Sequence, residues 1–367
     1  MKKFIMKWEI FMTRQKRVIV GMSGGIDSTV SAILLKKQGY DVTGVFMMVW
    51  DKNNHVNCKM KSSCYGPEDK EIENLEKISK LTGITVHFID LKKEFHRYVL
   101  DYFKKEYLSG KTPNPCVVCN RFIKFQVLLE KVQQSGIEYD CFATGHYARV
   151  EFDGNRYILK KGIDENKDQS YFLFLLTQQQ LSKLIFPLGY YTKQQVREFA
   201  KQRGIEIAEQ EESQDFIAGD RFFLFDEGLK PGDIVDKNSR VLGKHRGIIH
   251  YTIGQRRGLG ISNKKPLYVI EIKPEKNVIV VGEEIDLYRD KLIAENVNFM
   301  AIESLEKPLT VQTKIRYKHR AAHSIISPIG NNRVGVVFDK PQRAITPGQA
   351  AVFYDEDRII GGGFIAH

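Results

Sequence analysis

The feature that most limits the fold is RVIVGMSGGIDS, residues 17–28, an apolar β-branched run that breaks into glycines and serines before an apolar helical pattern around residues 29–37. Buried strand, tight glycine-rich turn and helix N-terminus, in that order, open a βαβ unit. The pattern repeats. VTGVFM (42–47) reads as the next strand, Ile72, Leu75, Ile78 and Leu81 fall at helical spacing, and TVHFID (85–90) reads as a third strand. A helix carrying Phe95, Val99, Tyr102 and Phe103 follows, then the turn-rich SGKTPNPCVVCN, another helix and the strand CFATG (141–145). Strands alternating with helices predict an α/β doubly wound fold on a parallel sheet. The hairpin YARVEFDGNRYILK turns at Asp153 and Gly154, and helical segments are expected from there to about Lys201.

After about residue 210 the texture changes. Short runs such as PLYVIEI, NVIVVG, LTVQTKIRY, RVGVVF and QAAVFYD are separated by Gly, Pro and Asn turns. Their spacing, roughly 8 to 12 residues, is that of sandwiches and barrels. A chain of 367 residues is long enough for two or three domains at about 150 residues each. The expected division is an α/β catalytic domain over 1–210, a small mixed connector over 211–285 and a C-terminal β-barrel over 286–367. Residues 1–15 start basic but are interrupted by Lys7 and Glu9 and lead to no cleavage site, so they read as a dispensable leader with Met12 as an alternative start.

No apolar run approaches the roughly 18 to 20 residues a membrane helix needs. The five cysteines (Cys58, Cys64, Cys116, Cys119, Cys141) are odd in number and sparse. That suits a reducing, cytoplasmic compartment better than a disulfide scaffold. Lys plus Arg number 56 against 45 Asp plus Glu, a net charge of +11, which favours a polyanionic partner such as nucleic acid or a nucleotide.

In GMSGGIDS, the residues Gly21, Met22, Ser23, Gly24, Gly25, Ile26, Asp27 and Ser28 lie where successive backbone N–H groups and the helix dipole make an anion site. Gly24 and Gly25 admit phosphate close to the backbone, Ser23 and Ser28 add hydroxyl donors, and Asp27 holds Mg²⁺ or orients the loop. The bland alternative is an ordinary βα turn. Five fixed positions at roughly 5 to 7% usage recur by chance about once per million starts, which sets that alternative aside. The loop is neither a Walker A sequence nor G-x-G-x-x-G. It resembles the loop of the PP-loop ATP pyrophosphatases, which implies cleavage of ATP between the α and β phosphates and adenylation of a substrate oxygen.

TPNPCVVCN (112–120) presents Cys116 and Cys119 on a proline-bounded loop before a helix, a position that lowers a thiol pKa and favours the nucleophilic thiolate. The pair reads as a redox or sulfur-relay pair, as half of a metal or Fe–S site, or as inert. Cys58 and Cys64 are loosely spaced as further ligands, and Cys141 in an apolar strand reads as core.

GMSGGIDS, SCYGPED, TPNPCVVCN, ATGHYAR (143–149), KDQSYFL (167–173), TIGQRRGLGI (252–261), KIRYKHR (314–320) and PGQAAVFY (347–354), in this order, closely resemble the tRNA 2-thiouridylase family from about residue 16 onward. The resemblance implies ATP-dependent replacement of the C2 oxygen of the wobble uridine in tRNAs for Lys, Glu and Gln, with ATP, Mg²⁺, tRNA and a protein persulfide donor, a cysteine desulfurase or relay protein, as partners. It implies an ATP site at residues 21–28 with Met47 and Gly145, and Cys119 as nucleophile. Asn114, Pro115 and Cys116 match the segment that meets the target base. Lys167, Asp168, Gln169, Arg316 and Tyr317 match tRNA-contacting segments, and His146 and Gln349 match positions associated with tRNA placement. The excess positive charge then reads as a tRNA footprint that includes Arg256, Arg257, Lys314, Lys318 and Arg320. The bland alternatives are a solvated strand face around 314–320 and a satisfied turn histidine at 146.

One departure stands out. The family commonly carries its persulfide on a second cysteine in a Ser-Gln-x-x-Cys-Phe loop; here ESQDFIAGD (212–220) has Ile217 at that place. The Cys116/Cys119 pair is the expected substitute relay, and a [4Fe–4S] cluster anchored on Cys116 and Cys119 is its rival. An amidating ATP pyrophosphatase and an ATP-regulated RNA-binding protein without turnover are the competing functions.

Overall fold

Five parallel strands make the first sheet, in the spatial order Val86–Asp90, Asp41–Met48, Arg17–Gly21, Cys141–Thr144, Leu184–Ile185. These come from a computed structural model that describes residues 15–51, 63–205, 215–217, 224–225 and 230–366. The expected leader therefore falls, Gln15 apart, outside the described residues, as does Cys58. Arg17–Gly21 is central, and its side chains alternate between two cores as a period of two requires. Val18 and Val20 pack with Val30 and Leu35 of the helix Ile26–Lys37 and with Leu75 and Ile78 of the helix Asp69–Thr82. Ile19 faces the other side, where Val45, Ile89, Phe125 and Phe142 pack. A sheet buried on both faces explains why RVIVG reads as a continuous apolar run.

The segment after Leu91 is helical from Lys92 to Leu108 but passes through a π-turn at His96–Leu100. The cysteine loop opens the helix Pro115–Val118, which widens into a second π segment, Cys119–Val127, and ends as Leu128–Gln134. The hairpin Ala148–Phe152 with Tyr157–Lys161 turns where expected: Asp153 Oδ1 accepts from the N–H groups of Asn155 and Arg156, and Gly154 has φ +100°. The helical segments expected up to Lys201 are the short turn Ser170–Phe172, the helix Gln178–Leu181 and the helix Lys193–Lys201, interrupted by the strand Leu184–Ile185. Capping boxes at Thr177 with Gln180 and at Thr192 with Gln195 start two separate helices, and Pro187 lies between them.

In the second half, a four-stranded sheet orders as Val241–His245, Gly232–Val235, Val278–Gly282, Tyr268–Lys273. The last part is a closed six-stranded barrel of Tyr288–Phe299, Arg333–Arg343, Ala322–Pro328, Leu309–Lys314, Ala350–Asp355 and Arg358–Ile365, sealed by pairing of the first strand with the last. Val311, Ile326, Val336, Phe338 and Phe353 pack together in its core. The hairpin from the first half continues this sheet: Lys160 pairs with Arg358, and Lys161 N–H donates to the Asp357 carbonyl at 2.8 Å. Among the described residues no helix is long and apolar enough to cross a membrane.

Candidate functional site

The glycine-rich loop leaves the carboxyl end of the central strand, the edge at which open α/β sheets bind ligands. Met22 N–H donates to the Val45 carbonyl at 2.8 Å, tying the loop to the neighbouring strand. Ser28 Oγ accepts from Ser23 N–H and donates to the Gly25 carbonyl, both at 3.1 Å, so its hydroxyl braces the loop from inside while Ser23 is exposed. Gly24 sits at φ +73°, and a Cβ there would meet the Glu71 carbonyl at 3.0 Å. Gly145, just after the strand next to the central one, packs against the loop, its place for a Cβ only 2.8 Å from Asp27 C and Ser28 N. Met47, half-buried near the end of the second strand, lies at the same edge. Residues 21–28, Met47 and Gly145 are thus gathered along one edge of the sheet.

Asp27 is held rather than free. Both its carboxylate oxygens accept from the buried Lys193 ammonium, each at 2.8 Å, and Oδ1 also accepts from the Tyr147 hydroxyl at 2.8 Å. Next to Gly145, the Thr144 hydroxyl lies 2.7 Å from His146 Nδ1, and the ring sits between Phe125 and Phe186. Burial, with Lys124 acting in the same direction, pushes the imidazole pKa well below its usual value, so the ring is neutral. Gln169 exchanges two bonds with Tyr147, its side chain accepting from Tyr147 N–H and its N–H donating to the Tyr147 carbonyl. Asp168 is buried and accepts from Gly162 N–H and from the backbone and hydroxyl of Ser170. Asp168 therefore shapes the turn from inside, whereas Lys167 is half-buried beside it.

Cys116 and Cys119 are not joined in a disulfide, the first half-buried and the second 8% exposed. Pro115 occupies the first turn of their helix, where a missing N–H costs nothing. The buried Asn114 meets the Tyr171 hydroxyl, which donates to the Ala350 carbonyl at 3.0 Å. Asn120 donates to the Phe172 carbonyl at 3.1 Å. The loop before the helix is held by both later units: Thr112 Oγ1 bonds Thr252 Oγ1 at 3.2 Å, and Thr112 N–H donates to the Pro347 carbonyl at 2.9 Å. Gln349 adds a side-chain amide to the same loop.

Arg316 turns inward: Nη2 donates to the carbonyls of Ile253 and Ala344 and to the Thr346 hydroxyl. Tyr317 packs against Phe172 in a tilted pair with ring centroids 4.5 Å apart and lies under Lys314, bridging barrel and cysteine unit. Arg256, Arg257, Lys318 and Arg320 are exposed, on two loops joined by the Arg316 bond to Ile253. The first of these loops also carries Thr252, which bonds Thr112.

Sequence-family models match the three parts of the chain. One described as tRNA methyl transferase HUP domain covers residues 16–218, one described as tRNA methyl transferase PRC-barrel domain 223–283, and one described as Aminomethyltransferase beta-barrel domain 289–365. The tRNA-specific 2-thiouridylase MnmA 1 of Caldanaerobacter subterraneus subsp. tengcongensis is 48% identical over 364 residues, covering 96% of this chain and 99% of its own. The chain belongs to the tRNA-specific 2-thiouridylase family. Relatives of the same name in Acetivibrio thermocellus and Endomicrobium trichonymphae are 44% and 46% identical, each across 96% of this chain and 99% and 100% of their own. A 4-thiouridine synthetase bound to RNA and ATP aligns at 17% identity over 57% of this chain and 45% of that one, with a TM-score of 0.36.

Within this thiouridylase fold, sequence reading left out Lys193, Tyr147 and Asn120. Tyr147 lies within ATGHYAR and Asn120 closes TPNPCVVCN, whereas Lys193 is marked only by the Thr192 to Gln195 capping box that fixes the start of its helix. The Fe–S reading needs more ligands than a pair of cysteines. Among the described residues, which do not include Cys58 or the side chain of Cys64, no three Cys, His, Asp or Glu side chains converge.

Proposed function

We propose that the chain is an ATP-dependent tRNA 2-thiouridylase of the reducing cytoplasm, replacing O2 of the wobble uridine in tRNAs of the Lys, Glu and Gln type with sulfur from a donor protein's persulfide. One observation carries the reading: two cysteines outside any disulfide, three residues apart on a helix whose leading loop is gripped by the later units. That helix belongs to the same unit as the phosphate loop. The family-model descriptions speak of methyl transfer. A glycine-rich loop of the adenylating type in the same unit as a thiol pair favours sulfur transfer instead.

O2 of uracil is a poor leaving group. Its attack on the α phosphate forms an O–P bond and expels pyrophosphate, and the loop amides stabilise the charge that develops. Asp27 would help to hold Mg²⁺ bound with the nucleotide, and the ion would supply charge neutralisation on the phosphates. Cys116, the more accessible thiol, takes a sulfur atom from the donor persulfide and becomes a persulfide, while the donor leaves as a thiolate. Its terminal sulfur attacks C2, the C–S bond forms, the C–O bond breaks and AMP departs. Cys119 thiolate then attacks the Cys116 Sγ, breaking the S–S bond; 2-thiouridine is released and a Cys116–Cys119 disulfide remains, which an external thiol reduces. Helical spacing of three brings the two Cα atoms to about 5 Å, within the range of a disulfide. The target base must leave its stack to reach the loop.

Incubation with ATP, a persulfide donor and unmodified tRNA, read by nucleoside mass spectrometry, tests the function. 2-Thiouridine together with AMP is expected. RNA binding without AMP release overturns turnover, and full thiolation by Cys116→Ser overturns the relay.

A further inference from the structure

The barrel turn at 346–349 reaches across to the start of the cysteine helix. Gln349 Nε2 donates to the carbonyl of Thr112 at 2.9 Å and to that of Pro113 at 3.4 Å, while the Pro347 carbonyl accepts from Thr112 N–H at 2.9 Å. Gly348, at φ +85°, permits this approach: a Cβ there would lie 3.0 Å from the Thr112 carbonyl and 3.0 Å from Lys111 Cβ. The turn is itself fixed. Gly348 N–H donates to the Ile365 carbonyl at 2.9 Å, Ile365 N–H donates to the Gln349 carbonyl at 2.8 Å, and Arg316 holds Thr346. Pro113 has no N–H and Pro115 has none, so the 112–115 backbone has few donors of its own to anchor it. The two carbonyls that Gln349 grips are therefore the fixed end from which the helix of Cys116 and Cys119 starts.

The geometry points to Gln349 as a positioning residue for the catalytic cysteines. It acts through the backbone of residues 112–113, so that the barrel, the part expected to grip RNA, also sets where the thiols stand. The role is distinct from a direct RNA contact. A side chain bound to tRNA alone supplies affinity, whereas one that aims a nucleophile supplies rate, because a displacement of about 1 Å at the reacting atoms costs up to about a hundredfold.

The inference rests on the thiolation reading for its rate measurement and is independent of it for its thiol measurement. Gln349→Ala removes the clasp, and Gln349→Glu keeps the size while abolishing the donor. Both are expected to lower the single-turnover thiolation rate at saturating tRNA by about tenfold or more, with tRNA Kd changed less than about twofold. In the absence of tRNA and ATP, both are expected to raise the rate of iodoacetamide alkylation at Cys119, located by peptide fragmentation, by about threefold or more, since a freed loop exposes a thiol that is now buried. Weaker tRNA binding with unchanged saturated rate and unchanged alkylation would make Gln349 an RNA contact alone and overturn the proposal. Unchanged alkylation in both variants overturns it as well, even if 2-thiouridine is not the product. Faster alkylation with no thiolation by the unmodified protein sinks the functional reading and leaves the clasp standing.

Discussion

The Lys193 ammonium lies 2.8 Å from each carboxylate oxygen of Asp27, the acidic residue of the phosphate loop, and Tyr147 donates to one of those oxygens. The lysine side chain is 7% exposed and the aspartate 30%. A cation so placed both neutralises Asp27 beside a site for triphosphate and can turn from the carboxylate to the phosphates. Lys193→Met is expected to reduce AMP formation by about a hundredfold or more. Loss of one partner of a buried pair is costly, but Asp27 keeps Tyr147 and partial hydration, so the stability loss is expected to be only about 1 to 2 kcal/mol. Pyrophosphate release and chemical denaturation measure the two effects. A variant that adenylates at the normal rate refutes the role for Lys193.

Gly145 provides a second test of the nucleotide edge. A methyl group there meets backbone atoms of Asp27 and Ser28 at 2.8 Å, and neither can swing aside as a side-chain end would. The loop itself has to shift. Gly145→Ala is expected to raise the ATP KM by about tenfold or more, with a destabilisation of about 1 to 3 kcal/mol from overpacking. ATP titration of pyrophosphate release shows whether the loop moved. Unaltered ATP affinity in a folded variant means that the loop does not hold the nucleotide.

The parts legible in the sequence are those whose chemistry is local. SGGIDS shows itself because phosphate needs glycines and hydroxyls on consecutive residues, and the Cys116/Cys119 pair because three residues make one helical turn. Lys193 meets Asp27 across 166 positions and Gln349 meets Thr112 across 237, and no short window contains both partners. The last barrel strand, Arg358–Ile365, escapes the alternation rule for a related reason. Its run Gly361, Gly362, Gly363 lies between two partner strands, where a Cβ on Gly361 would come within 2.4 Å of the Asn298 carbonyl. Close packing removes the side chains that would have advertised the strand. Arg316 was legible as basic, but its inward bonds to Ala344 and Thr346 are visible only once the barrel closes.

His146 sets a pH limit. Its pKa, depressed by burial and by Lys124 below the usual 6.5, means that the folded chain binds fewer protons than the unfolded one. Its contribution is therefore intact above about pH 6.5 and is lost as pH falls below that value, by no more than about 1.4 kcal/mol per pH unit. His245 and His319 are shifted in the same direction by burial and add to the slope. Thermal unfolding between about pH 5 and 8 is expected to show a falling Tm on the acid side, shallower in His146→Gln. An identical slope in that variant assigns the whole effect to the other two histidines.

The basic surface makes the last prediction. Arg256 and Arg257 are exposed on the loop that Arg316 joins to the barrel, and Lys318 and Arg320 are exposed on the loop that carries Arg316. Each side chain that neutralises a phosphate releases counterions, so it contributes to the salt dependence of binding as well as to its strength. The double variant Arg256→Ala with Arg257→Ala is expected to weaken tRNA binding and to reduce the slope of log K against log salt by about 1 to 2. Phosphate contacts carry no base information, so the loss should be similar for cognate and non-cognate tRNA. Filter binding over a salt series with both RNAs measures this. A slope that stays unchanged while cognate affinity alone falls would place these arginines on bases instead of the backbone.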